Sequence, residues 1–315
     1  MQITELTDST ANIGNGKALR QRMAEDGYVF LRGVIDRDLL AWGEGLYRDA
    51  LAAEELIDLA NERPVWTGKK SDTWRPCDAI GTKFWHKVVA LPQLNAIMRD
   101  IFDADPVWIP IAAHRSSFPT GPLEEGQDIF SGRHQDSFYS EGMGYTICWM
   151  PVRDVKKGDG AFAVAEGTNR RGVLHQPITG KDHSILPGVI PDEAWRSTDF
   201  RVGDVLIFDY GTAHAGLPNP SNEFRLSLDV RAVPAYAPKP VIGAVDRVSG
   251  RDVTIRTDAG ESVTITVNDE TYIRDMNPHP RIPTGEVERV AYPGSHVMAM
   301  VADDGHVTVL RRNRY

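Results

Sequence analysis

Three side chains in this sequence have the types and spacing to hold one metal ion. Within SGRHQDSFY, His134 and Asp136 stand two residues apart, so on an extended strand both side chains point to the same side. Taken alone, such a pair is a weak signal, since the two residues fall two apart by chance in many chains and a simple hydrogen bond between them accounts for it. A second histidine, His214, follows 78 residues after Asp136, just beyond the apolar run DVLIFDY, where an adjoining strand would bring it beside the pair. Two imidazoles and one carboxylate on one face of an octahedron leave three adjacent positions open, the arrangement with which Fe(II) oxygenases take a chelating cosubstrate and O2. Arg225 comes eleven residues after His214 and begins the alternation Arg225, Ser227, Asp229, Arg231. Facing inward, an arginine there binds a carboxylate through two parallel hydrogen bonds; facing outward, it makes a surface salt bridge.

These residues need strands to carry them. Residues 17 to 60 read as helix, strand, helix, the strand being Tyr28-Val29-Phe30-Leu31 and ending at Gly33. The segment PQLNAIMRDIF, 92 to 102, puts Leu94, Ile97, Met98 and Ile101 on one helical face behind a proline first turn, and this helix is expected to pack on a sheet. From Val107 onward short apolar runs alternate with glycine, proline and charge, the pattern of an all-β sandwich or barrel, with strands at VWIPIAAHRSSF, YTICWMPV, AFAVAEG, DVLIFDY and RLSLDVRAV. The polar stretch from Gly172 to Phe200 is longer than a hairpin loop and reads as a lid over a pocket or as a surface insertion. After APKP at 237 to 240, the alternations Val253-Ile255 and Val263-Ile265-Val267 with tight glycine turns read as a small β unit. The expected division is 1–238 for the main domain and 239–315 for this unit, although these strands would also suit pairing with the main sheet.

Composition narrows the class. A chain of 315 residues with 41% hydrophobic content can bury a substantial core. The net charge of -9 and pI near 5.5 lack the basic excess of a nucleic-acid binder. Cys77 and Cys148 are the only cysteines, too few for a disulfide framework or a thiolate zinc site. With no apolar stretch of signal-peptide or membrane-spanning length, the reading is a cytoplasmic protein with no membrane and no nucleic-acid partner.

The motifs together resemble the phytanoyl-CoA dioxygenase-like family of Fe(II)/2-oxoglutarate-dependent oxygenases over most of residues 20 to 235. DGYVFLRGVID looks like the family's first strand and HQD its metal-binding pair; WMPVRDVKKGDGAFAVAEGTNR and GDVLIFDYGTAHAGLPNPSNEFRLSLDVR are similar to its later strands, distal histidine and cosubstrate arginine. Asn169 stands where histidine is common. The resemblance implies a mainly β fold with flanking helices, a double-stranded β-helix of jelly-roll or cupin-like form, here with the small C-terminal β unit added. It gives His134, Asp136 and His214 to iron and Arg225 to the distal carboxylate of 2-oxoglutarate, with Ser227 assisting. Gln135 and Trp149 fall where family members line the cosubstrate and are read as contacts to it; the competing readings are an outward-facing strand residue for Gln135 and core packing for Trp149. The family also uses a residue on the preceding strand, where His114, Arg115, Ser116 and Ser117 offer no clear match.

The implied activity is oxidation of a small-molecule substrate with O2 as co-reactant, by hydroxylation or desaturation, in specialised metabolism. Asp136 fills the place that related halogenases leave open for chloride, so chlorination is not expected, and the absence of a dense basic patch speaks against a CoA thioester. The competing readings are a non-catalytic metal-binding β-barrel and an iron-dependent oxidase that does not use 2-oxoglutarate. His175 and His183 lie in the long polar stretch and read as substrate contacts or as solvated loop residues. Trp66, Trp74 and Trp85 read as a pocket wall or as packing of the N-terminal helices. His279, His296 and His306 have no carboxylate pair at ligand spacing and are assigned no metal. The C-terminal unit is a candidate for homo-oligomer formation or for closing over the active site.

Overall fold

The computed structural model describes residues 3–71, 73, 75–176, 184–275 and 281–313, with backbone alone at Ser131. It opens with a short strand β1 (Thr4–Glu5), helix α1 (Gly16–Asp26), strand β2 (Tyr28–Leu31) and helix α2 (Arg37–Ala53). The Asn15 side chain accepts the Ala18 amide to start α1, and Asp36 accepts that of Leu39 to start α2. Helix α1 stops at Gly27, whose φ of 82° suits a residue without a side chain. Two further helices follow, α3 (Trp85–Val89) and α4 (Pro92–Phe102). As expected from the periodicity, Leu94, Ile97, Met98 and Ile101 are all buried. An 11-residue helix is marginal by itself. Burial worth about 1.5–3 kcal/mol per large apolar side chain is what holds α4 in place.

The strands come next: β3 (Pro106–Ser117), β4 (Ser131–His134), then a single helical turn α5 (Asp136–Tyr139), β5 (Thr146–Pro151), β6 (Phe162–Ala165), β7 (Trp195–Ser197), β8 (Val205–Asp209), β9 (His214–Gly216) and β10 (Arg225–Pro234). They form two five-stranded sheets, in the orders β1-β7-β6-β9-β4 and β2-β8-β5-β10-β3. The second sheet is packed on both faces, so its strands separate two kinds of neighbour by alternation. Cys148, Met150, Ile207, Leu226, Leu228 and Val230 join the core shared with α1, α2 and α4. Trp149 and Phe208 turn the other way and meet the first sheet, through Phe162 at 5.2 Å and His214 at 5.0 Å between ring centroids. This is the double-stranded β-helix, with the helices backing one of its sheets.

After β10 the chain forms β11 (Lys239–Ser249), β12 (Asp252–Thr257), β13 (Ser262–Thr266), β14 (Tyr272–Arg274), β15 (His296–Val301) and β16 (Val307–Arg312). These make one six-stranded sheet in the order β13-β12-β11-β15-β16-β14. Its core contains Val245, Val253, Ile255, Ile265, Val297 and Leu310. The chain divides into two compact units: Met1–Gln135 with Thr146–Ala232, and Asp136–Tyr145 with Val233–Tyr315. Among the described residues no helix is long and apolar enough to cross a membrane.

Two local expectations are corrected. SGRHQD is not one extended strand, because β4 ends at His134 and Asp136 begins α5. The stretch from 172 to 200 is not a plain surface insertion: its later part supplies strand β7, with Trp195 fully buried against Phe130 at 4.1 Å. A three-residue strand is too short to show alternation, and the polar residues around it mask the signal.

Candidate metal centre

The site is built from the ends of two short strands. β4 and β9 run antiparallel with His134 opposite His214, and the two rings lie 4.1 Å apart between centroids. The turn from β8 to β9 that delivers His214 is fixed by several hydrogen bonds. Asp209 accepts the Gly211 and Thr212 amides through its side chain and its carbonyl, Thr212 Oγ1 donates to Gly27 O, and Thr168 Oγ1 accepts the Ala213 amide. His134, Asp136 and His214 each bring a ligand atom to within 4.8 Å of the others, and they are the group able to hold a metal ion among the described residues. Asp136 gets there from the first residue of α5, where the chain leaves the strand period, so the convergence does not come from the i, i+2 geometry that first suggested it.

Each ring is oriented from behind. His134 Nδ1 lies 2.7 Å from Gly132 O and His214 Nδ1 lies 3.0 Å from Thr212 O. A proton on Nδ1 shared with a carbonyl leaves the lone pair on Nε2, the form in which imidazole binds a metal. Tyr145 donates its hydroxyl to Asp136 Oδ2 at 3.1 Å and lies 3.0 Å from Ser140 Oγ, which limits rotation of the carboxylate. Sequence reading passed over Tyr145; its position nine residues past a carboxylate carries no periodic signal. Two neutral imidazoles and one carboxylate suit a divalent metal of the Fe(II) type.

Arg225 begins β10, and Arg225, Ser227, Asp229 and Arg231 are all buried on the face of that strand opposite Leu226, Leu228 and Val230. The outward-facing alternative for Arg225 therefore fails. Its Nη1 donates to Ser227 Oγ at 2.5 Å, its Cζ sits 5.8 Å from the Trp149 ring centroid, and its Nε has no partner among the described residues. Burial pulls the guanidinium down to about 10, still protonated at neutral pH. Trp149 Nε1 is likewise buried without a partner. Two unpaired buried donors beside one cation form a cradle that a carboxylate completes. Asp229 Oδ2 pairs with Arg115 Nε at 3.0 Å, and its Oδ1 is buried without a partner among the described residues.

Other candidates take different places. Gln135 is buried, not outward-facing: its amide donates to Gly172 O and Gly211 O and accepts from Leu174 N, so both of its amide protons are committed to backbone. His175 is buried too, accepting the Gln135 amide at Nε2, and so is neither a solvated loop residue nor an open substrate contact. Asn169 donates to Met23 O and Ala24 O at the end of α1. Trp85 joins the helix core, and Trp66 lines a cavity. His114 lies on the helix side of β3 against Tyr47 and Phe84, while Arg115 reaches the Asp229 side. His296 pairs with Asp258 and His306 approaches Glu270. Trp74, His183 and His279 lie outside the described residues.

Comparison with known proteins agrees with this geometry. The chain is 27% identical over 255 residues to the 1-deoxypentalenic acid 11-beta-hydroxylase of Streptomyces arenae, covering 74% of this chain and 86% of the relative. The enzyme of the same name from Streptomyces exfoliatus is 25% identical over 248 residues, with the same coverage. The fold matches the crystal structure of the epimerase SnoN, determined with Fe3+, alpha ketoglutarate and nogalamycin RO, at a TM-score of 0.50 and 20% identity over 72% of this chain and 86% of SnoN. Residues 23–227, which take in most of both sheets and the clustered His134, Asp136 and His214, match the phytanoyl-CoA dioxygenase family, so the chain belongs to that family.

Proposed function

We propose that the protein is an Fe(II)- and 2-oxoglutarate-dependent dioxygenase that hydroxylates a small organic molecule. His134, Asp136 and His214 are the iron ligands, and Arg225, with Ser227 and Trp149, anchors the far carboxylate of the cosubstrate. The observation that carries this reading is the convergence of three ligand atoms within 4.8 Å in a fold that also buries Arg225 with an unpartnered Nε. Bound iron and 2-oxoglutarate would supply the oxidising power for O2-dependent cleavage of a C–H bond. The chain's own residues do the positioning. Gly132 O and Thr212 O hold the imidazole tautomers, and Tyr145 holds the Asp136 carboxylate. The Trp149, Phe162 and Phe208 rings keep water from one side of His214. Hydroxylation is supported by the two 1-deoxypentalenic acid hydroxylases. Asp136, an anionic ligand at the metal, stands where chloride would have to bind, which favours oxygenation over halogenation.

The test is anaerobic titration with Fe(II) and then 2-oxoglutarate, followed by visible absorption. The expected result is a weak charge-transfer band in the wild type that is absent in His134→Ala. Iron binding with no such band, or chlorinated product from the wild type, overturns the proposal.

A further inference from the structure

Beside β3 lies a cavity of about 710 Å3 lined by Trp66, Lys70, Arg75, His114, Arg115 and Phe118, with the hydroxyl residues Ser71, Thr73, Ser116 and Ser117. Its volume falls in the range of about 300–1,000 Å3 typical of small-molecule sites. The lining has two characters. Trp66 and Phe118 meet edge to face at 5.8 Å and form an apolar wall, and Lys70, Arg75 and Arg115 line the same space, Arg75 with a partner of its own. The Ser71 and Thr73 hydroxyls donate to Glu54. Arg115 gives its Nε to Asp229, and its terminal nitrogens have no protein partner among the described residues. His114 is 4% exposed, lines the cavity, and has no partner for Nε2 among the described residues. Buried polar atoms are seldom left unpaired, so a ligand group at this point would account for it.

We infer that this cavity binds a small hydrophobic carboxylic acid. The acid group sits between Lys70 and Arg115, the hydrocarbon lies against Trp66 and Phe118, and His114 Nε2 hydrogen-bonds the bound molecule. That such an acid is the substrate rests on the oxygenase function proposed above; that it binds here does not. Burial lowers the His114 imidazole to about 4, so it is neutral at neutral pH and contributes a hydrogen bond, leaving charge recognition to the cations. Arg115 joins the cavity to the site by its ion pair with Asp229, which stands on the same face of β10 as Ser227 and Arg225.

The test is anaerobic calorimetric titration of the full chain loaded with Fe(II) and 2-oxoglutarate. The probes are cyclohexanecarboxylate, 1-naphthoate and 1-pyrenebutyrate, each against its primary amide. At least one acid is expected to bind, with its amide about tenfold weaker or worse. Lys70→Gln, an exposed change that leaves packing intact, should weaken that acid about threefold or more, and His114→Phe about tenfold. Binding of none of the acids, equal affinity for acid and amide, or an unchanged affinity in Lys70→Gln overturns the inference. The absorption band separates the two proposals. An acid that binds while the 2-oxoglutarate band never forms leaves the cavity assignment standing and removes the oxygenase reading, whereas a normal band with no acid bound removes the cavity assignment alone.

Discussion

The Tyr145 hydroxyl is 3.1 Å from Asp136 Oδ2, and groups that orient a metal ligand commonly contribute about 10–100-fold to metal affinity. Tyr145→Phe removes one oxygen and keeps the ring, so the expected outcome is a roughly tenfold weaker Fe(II) affinity with little change in melting temperature; equal affinities in a metal-competition titration would contradict the role. Arg225 makes a different prediction at the same scale. Its loss removes the cation from a buried cradle, and charge-assisted contacts of this kind are worth about 2–5 kcal/mol when one partner is truncated. Arg225→Ala should therefore weaken 2-oxoglutarate by about thirtyfold or more while leaving Fe(II) affinity within about twofold, read from the same anaerobic titration. An equal loss of both would mean that the substitution disturbs the sheet and not the cosubstrate.

At the scale of elements, the site depends on how the end of α1 meets the turn before β9. Gly27 caps α1 with φ 82°, and its carbonyl accepts from Asp209 N and Thr212 Oγ1. A Cβ built there would lie 2.5 Å from Thr212 Oγ1 and 2.8 Å from Asn169 Oδ1. Thr212 O is in turn the partner of His214 Nδ1. Gly27→Ala is thus expected to cost about 2 kcal/mol or more, combining left-handed strain with the clash, and to weaken Fe(II) binding through His214. Gly14 supplies the control, with φ 83° and nothing within 4 Å of an added Cβ. If Gly14→Ala lowered melting temperature and iron affinity as much as Gly27→Ala does, backbone strain alone would explain the effect and the coupling to the turn would be wrong.

For the molecule as a whole, acid sensitivity follows from the burial of His114. Its imidazole titrates at about 4 in the folded protein, against an ordinary value of 6.5, because burial disfavours the charged form. Between those values the unfolded chain binds the proton and the folded chain does not. Stability from this group is therefore complete above about pH 6.5 and lost as pH falls toward 4, by an amount on the order of 3 kcal/mol. Asp209, raised by burial, acts in the opposite sense. The melting temperature should fall between about pH 7.5 and 5, and His114→Phe should flatten that slope; an unchanged slope in the variant would assign the acid sensitivity to other groups. The donor set that converges at the centre was legible in the amino-acid order because metal ligation restricts residue type: His134, Asp136, His214 and the Arg225 alternation are readable as residues, and the α4 stripe and the β5, β8 and β10 runs as elements. Local periodicity could not reveal the break between β4 and α5, the strand β7 hidden in a polar stretch, the bracing of Gln135 by Gly172 and Gly211, or Tyr145 behind Asp136. The sequence by itself determined which donors exist and which strands are apolar on which face. Only the tertiary structure decided which donors meet and which buried polar atoms are left for a ligand, because those contacts join residues far apart in the chain whose approach depends on how the strands pair.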